Sequence, residues 1–257
     1  GFSAKWNPAW LGGIMGAYYR NFSDKLPQVG LNLGAGTYHF SYASDISVYG
    51  ISLAKTVATV AIGAEFSYRT KMPLASSAAF VTSLPGRGDT FGARGETMHA
   101  LVNAIKVDGV RPFWDMCVFM GEVNWNRWVA VTHNKARFTG TDPSYTAINK
   151  PTRDNVGATV LMSPTWFKVF TGVDLSMPLT FGMGLVGNSA VNVASKNAGS
   201  WSAGLSADIF QKYTADIKYS DYFGGYDKDA SGAMTVANGA GGLKDRGFVS
   251  LTLKTTF

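Results

Sequence analysis

The chain is short of several things, and each shortage excludes a class. It has one cysteine, Cys117, so no disulfide can form within it. Cys117 lies in WDMCVFM, an apolar extended segment where a thiol behaves as a small hydrophobe, and it gives no ground for a catalytic role. The three histidines, His39, His99 and His133, are far apart and lack the spacing of metal ligands. Charged residues make up 16% of the chain, against about 25% in an average globular domain. No run approaches the roughly 18 uncharged apolar residues of a membrane helix. The chain opens GFSAKWNPAWLGG, without the basic and apolar regions of a secretory leader, which for an exported protein is expected of a mature chain or a fragment. The formal net charge is +6, but Lys and Arg are scattered singly. That excludes the basic stripe of a nucleic-acid binder and favours solvated charges, with a weak bias toward anionic headgroups or solutes as the alternative.

What the chain has is glycine, 30 residues, and aromatics, 13%, at a mean hydropathy of only +0.02. The hydrophobicity is hidden in alternation. In RGFVSLTLKTTF, residues 246–257, Val249, Leu251, Leu253, Thr255 and Phe257 share one face and Ser250, Thr252, Lys254 and Thr256 the other. Val60, Ile62, Ala64, Phe66 and Tyr68 oppose Ala61, Gly63, Glu65, Ser67 and Arg69. Trp201, Ala203, Leu205, Ala207 and Ile209 oppose Ser202, Gly204, Ser206 and Asp208, and Tyr213, Ala215, Ile217 and Tyr219 oppose Thr214, Asp216, Lys218 and Ser220.

Ten strands are expected: 10–21, 47–56, 60–69, 97–107, 113–127, 154–163, 169–184, 200–211, 213–222 and 246–257. Their lengths suit the roughly 9–11 residues with which a tilted strand crosses a bilayer. Every second connection is tight, at 57–59, 108–112, 164–168 and near Gln211–Lys212. The others, 22–46, 70–96, 128–153, 185–199 and 223–245, are long. Short turns at one end and long loops at the other are the habit of outer-membrane barrels; a soluble sandwich has no reason for it. The expected fold is all-β, an antiparallel transmembrane β-barrel of the bacterial outer membrane, with 1–257 a single domain. Pro178 interrupts 169–184 and suggests that the crossing part ends near Met177, with Leu179–Leu185 in an extracellular extension. In 97–107 the faces are ambiguous, because Leu101 and Ile105 share a side with His99 and Asn103. Trp166 falls in a short turn, and Trp201, Tyr213, Tyr68 and Tyr222 at strand ends, where amphipathic rings suit a membrane interface.

The motifs are weak. Gly182, Gly184 and Gly187 match GxGxxG, but no helical period follows, so they read as strand-end glycines. Asp227, Asp229 and Ser231, with Gly232, resemble the first half of a calcium loop; position twelve is Asn238 rather than Glu, and a plain turn is favoured. Glu65, Arg69, Glu122, Asn124, Asn126, Asp174, Asp208, Asp216, Lys218 and Lys254 are expected on the polar face. In a barrel they line the lumen, where they either define a solute path or only pair with one another across strands. No nucleophile, base and orienting group recur together, so no catalytic residue, metal or cofactor is expected.

Residues 16–28 (GAYYRNFSDKLPQ), 36–74, 121–128 (GEVNWNRW), 173–191 (VDLSMPLTFGMGLVGNSAV) and 199–224 together resemble a proteobacterial outer-membrane family of unknown function. The resemblance spans nearly the whole chain, and the family has no catalytic motif to transfer. It implies a Gram-negative outer-membrane β-barrel associated with a periplasmic carrier protein and an inner-membrane exporter, hence passage of hydrophobic molecules across the envelope. Members of that family are longer, with a signal peptide and further N-terminal strands, so this chain is expected to be a C-terminal portion. Its partners would be outer-membrane lipid, a periplasmic carrier or other envelope protein, and the barrel-assembly machinery. The machinery would meet the barrel-closing strand with Val249, Leu251, Leu253 and Phe257. The leading expectation is a porin-like channel or transporter for small or lipophilic solutes; the alternative is a structural component that docks a partner and conducts nothing.

Overall fold

The computed structural model describes residues 1–77, 79–80, 90–191 and 194–256. In chain order the strands are β1 (Phe2–Trp6), β2 (Gly13–Phe22), β3 (Gln28–Asn32), β4 (Thr37–Ser41), β5 (Ile46–Val57), β6 (Val60–Pro73), β7 (Ala79–Phe80), β8 (Arg94–Asp108), β9 (Met116–His133), β10 (Asp154–Phe170), β11 (Val173–Ser176), β12 (Leu179–Val186), β13 (Gly199–Ile209), β14 (Tyr213–Phe223), β15 (Tyr226–Lys228), β16 (Met234–Ala237) and β17 (Phe248–Thr255). The described residues contain no α-helix, only two 3-10 turns, Lys135–Arg137 and Gly239–Leu243.

Twelve strands form one antiparallel sheet in the order β1-β2-β5-β6-β8-β9-β10-β11-β13-β14-β17, with β12 continuing the lane of β11 between β10 and β13. β12 aside, the path follows chain order throughout, skipping only the strands of the long connections, and β1 and β17 stand at its two ends. The tight connections, 7–12, 58–59, 109–115, 171–172 and 210–212, all lie at one rim. The register fixes this: Trp6 faces Met15, Val57 faces Val60, Asp108 faces Cys117, Phe170 faces Val173 and Ile209 faces Tyr213. The long connections gather at the other rim and carry small sheets of their own, β4-β3-β7 and β15-β16.

The pairing sorts side chains into two faces. On one, Met15, Leu53, Ala64, Val102, Val123 and Ala158 form an unbroken row across six strands. Beside it on the same face, Leu205, Ile217 and Leu251 form another. This face is exposed: Ile51 is 59%, Val160 54% and Leu251 70% accessible. On the other face Tyr18, Gly50, Ser67, His99, Asn126 and Asn155 make a row across the same six strands. Ser67, Asn126 and Asn155 in that row are buried. The sheet thus leaves large apolar side chains exposed on one face and covers amides and hydroxyls on the other.

Nine of the ten expected strands recur with shifted ends, and the remaining segment, 169–184, is split. β10 runs on to Phe170, so the turn expected at 164–168 lies at Thr171 and Gly172, and Trp166 and Val169 belong to a strand. The cause is a register irregularity between Trp166 and Phe170, with Lys168 at φ 52° and its N–H donated to Asp174 Oδ1 at 2.7 Å. Gly172, at φ +73°, takes the turn where a side chain would be strained. Pro178 breaks the next strand without ending its lane, because β12 goes on pairing with both β10 and β13. Leu179–Leu185 is therefore sheet, on the long-loop side of Pro178, with Phe181 on the apolar face opposite Val160 and Trp201. β1 is an added strand that alternation did not signal. The ambiguous segment 97–107 is resolved by its partners: Leu101 lies opposite Glu65 and Asn124 on the polar face, and Lys106 opposite Phe119 on the apolar one.

Candidate functional site

The candidate site is the polar face together with the long loops that fold over its far end. The register puts all the expected polar residues on this face, in two groups. Glu65, Arg69, Glu122, Asn124 and Asn126 belong to β6 and β9. Asp174, Asp208, Asp216, Lys218 and Lys254 belong to β11, β13, β14 and β17. In the second group, pairing within the wall dominates. Ser206 Oγ donates to Asp216, and Lys254 Nζ lies 3.7 Å from its other oxygen. Asp208 Oδ1 accepts the Gln211 N–H at 2.9 Å and so holds the turn between β13 and β14, as Asp174 holds the bend at Lys168.

The first group reaches across strands. Tyr18 Oη donates to Glu65 Oε1 at 2.6 Å over Gly50, where a Cβ would stand 2.0 Å from the tyrosine ring. Along single strands, Thr97 Oγ1 and His99 Nε2 of β8 are 2.9 Å apart, and on β6 Arg69 Nε donates to Ser67 Oγ at 3.4 Å. Nearer the loops, Ser189 Oγ donates to Asn126 Oδ1 at 3.0 Å, and Asn126 Nδ2 donates to Asn155 Oδ1 at 2.9 Å. Asn155 Nδ2 in turn donates to the carbonyls of Val186 and Gly187. These buried amides satisfy one another and pin the segment after β12 to the polar face. Tyr18, His99, Asn155 and Ser189 were not among the expected site residues. Their period-two position could have found the first three; Ser189 lies in a loop and carried no such signal.

The loops are tied to one another. Ala75 N donates to Ala190 O at 2.8 Å, Ser77 N to Arg137 O at 3.0 Å and Thr139 N to Ala75 O at 3.2 Å. Phe138, fully buried, packs with Leu74, Ala93 and Ala190 and meets Trp128 edge to face at 5.2 Å. Ile148 N donates to Asp227 Oδ2 at 2.8 Å, and Asn238 Nδ2 to Lys196 O at 2.9 Å. The carboxylates of the calcium-like segment do not converge. Asp227 anchors Ile148, while Asp229 Oδ1 accepts from Ser231 Oγ at 2.6 Å and from the amides of Ser231 and Ala233. These bonds, the Ser231 hydroxyl first, hold the Asp229 carboxyl below its ordinary range. Among the described residues no three His, Cys, Asp or Glu side chains gather as a metal site.

Two cavities adjoin at this end. One, about 610 Å³, lies among the loops beside Ser76, Thr139, Tyr145 and Asn149. The other, about 270 Å³, lies on the polar face beside Asn124, Gly157, Thr159 and Gly182. They share Ala194, Ser195, Gly239 and Ala240 in their walls, so small uncharged residues separate the loop chamber from the sheet chamber. Asn124 Oδ1 is buried beside the second cavity without a hydrogen-bond donor, an acceptor available to a polar solute.

Of the expected strand-closing residues, Val249, Leu251 and Leu253 lie on the exposed apolar face of β17, and Phe257 lies outside the described residues. No curated protein and no solved structure matches the chain. One family model, described as a protein of unknown function (DUF1302), matches residues 1–257 from end to end, and the chain belongs to that family.

Proposed function

We propose that the chain forms the wall of a β-barrel in the outer membrane of a Gram-negative bacterium. Small or lipophilic solutes pass along its polar face, with the short turns toward the periplasm and the long loops outside. The carrying observation is the inversion of polarity: the sheet exposes Ile51, Val160, Leu205 and Leu251 and covers Ser67, Asn126 and Asn155. A lipid surround makes that arrangement favourable, since backbone groups are satisfied within the sheet and apolar side chains meet hydrocarbon. Supporting it are strand lengths of 10 to 18 residues in β2, β5, β6, β8, β9 and β10. Phe2, Tyr19, Tyr49 and Tyr68 add a row of aromatics across four strands near the loop rim.

In this reading the route runs through the loop chamber, past Ala194 and Gly239, and along Asn124 and Glu122. The protein's part is passage and selection without a chemical step. A second reading, a docking component that conducts nothing, is favoured by one observation: the loops are hydrogen-bonded and packed to one another over the polar face. The purified protein in a planar bilayer separates the two. Stepwise currents support passage; a silent membrane with protein inserted, together with a stable complex with an envelope partner, supports docking.

A further inference from the structure

One cavity lies on the apolar face, not the polar one. It is a groove of about 700 Å³. Its floor is Ala104 and Gly121, opposite one another on β8 and β9, and Phe119, Phe181 and Trp201 stand on its sides. A Cβ added to Gly121 would meet nothing within 4 Å, so the wall dips where that side chain is missing. At the turn-rim end stands Lys106, on the same face as Ala104 and in the wall of the groove.

A cation on a face otherwise built for hydrocarbon needs a reason. Lys106 lies 3.5 Å from Asp108, and Asp108 is already held by Arg111 through two bonds, at 2.8 and 3.1 Å. Two cations share one carboxylate, which leaves one positive charge in surplus at the head of an apolar groove. A long lysine stem can lie along such a groove and present its ammonium at the interface. Surplus positive charge above an apolar channel complements a molecule with a negative head and a hydrocarbon tail.

We propose that this groove seats one anionic glycerophospholipid of the periplasmic leaflet, an acyl chain over Gly121 and its phosphate against Lys106. This rests on the membrane-wall reading above. The site lies on the opposite face from the solute route and would be a fixed lipid, not cargo.

The test uses the full chain in detergent, exchanged into equal amounts of synthetic phosphatidylglycerol and phosphatidylcholine of identical chains, with retained lipid read by native mass spectrometry. Wild type is expected to retain phosphatidylglycerol in preference. Gly121→Phe puts a ring into the groove from a position where an added Cβ meets nothing within 4 Å, and should lower retention about tenfold or more, the equivalent of losing contact with two or so methylenes. Lys106→Gln should keep the chain seated and abolish the headgroup preference. Leu205→Phe, on the same face outside the groove, should change nothing. Equal retention of both lipids by wild type and Gly121→Phe overturns the proposal and leaves the membrane reading intact. A protein that dissolves without detergent and carries no lipid overturns both.

Discussion

Tyr18 on β2 donates its phenolic hydrogen to Glu65 on β6 at 2.6 Å, passing over β5 at the one residue that leaves room, Gly50. The bond exists because the side chain between them is missing. Gly50→Ala should therefore push the ring aside and cost about 1–3 kcal/mol, more than Tyr18→Phe, whose loss is about 1 kcal/mol. In a Tyr18→Ala background Gly50→Ala should be close to neutral. A double-mutant cycle on denaturant unfolding in detergent measures the coupling.

Apolar-face and polar-face substitutions should differ sharply although they are sequence neighbours. Leu205→Arg, near the middle of β13, should cost about 2–4 kcal/mol in folding into lipid vesicles. Gly204→Ser and Ser206→Thr, on the opposite face, should fall within about 1 kcal/mol. Unfolding from vesicles checks all three.

If Glu65 and Glu122 line the route, Glu65→Lys with Glu122→Lys should move the reversal potential of the current in a salt gradient toward anion selectivity. Asp216→Asn should move it far less, because Asp216 is already shared by Ser206 and Lys254.

Phe138 is the hub of the loop cluster, and Phe138→Ala should cost about 3–5 kcal/mol locally. The expected result is faster proteolysis between residues 134 and 153 with the strands still protected. Larger currents should accompany it if these loops restrict the route.

The loop after β15 should respond to acid in one direction. Asp229's carboxyl is held below its ordinary value, so the stability it lends is fully present above that value and is lost as pH falls through the lower one. Hydrogen exchange at Ser231 and Ala233 should stay slow down to the ordinary aspartate range near about 3.9 and quicken only below it. Quickening above that range would contradict the assignment.

The lanes of the sheet were legible because each reads in period two. The rim bearing the turns was legible because turns and loops alternate in length. The bend at Lys168 was not: a non-glycine residue at positive φ leaves no mark in composition. Nor was β1, whose five residues are too few and include Lys5. The face of 97–107 needed its partners, since Leu101 and Ile105 sit among polar neighbours. The polar residues were legible as a face but not as two groups, because their partners are set by register between distant strands. The tying of the loops was illegible because it rests on backbone groups and on Asn and Ser side chains, which are ordinary in any loop.

The most direct measurement places single cysteines in a Cys117→Ala protein reconstituted in lipid, at Leu205, Ile217 and Leu253 and at Ser206, Asp216 and Thr252. A fluorophore at the first three should be quenched by spin labels on lipid chains, and at the last three by a water-soluble quencher. A protein that stays dispersed in plain buffer, with Leu205 and Leu253 shielded from both quenchers, would contradict the membrane wall outright.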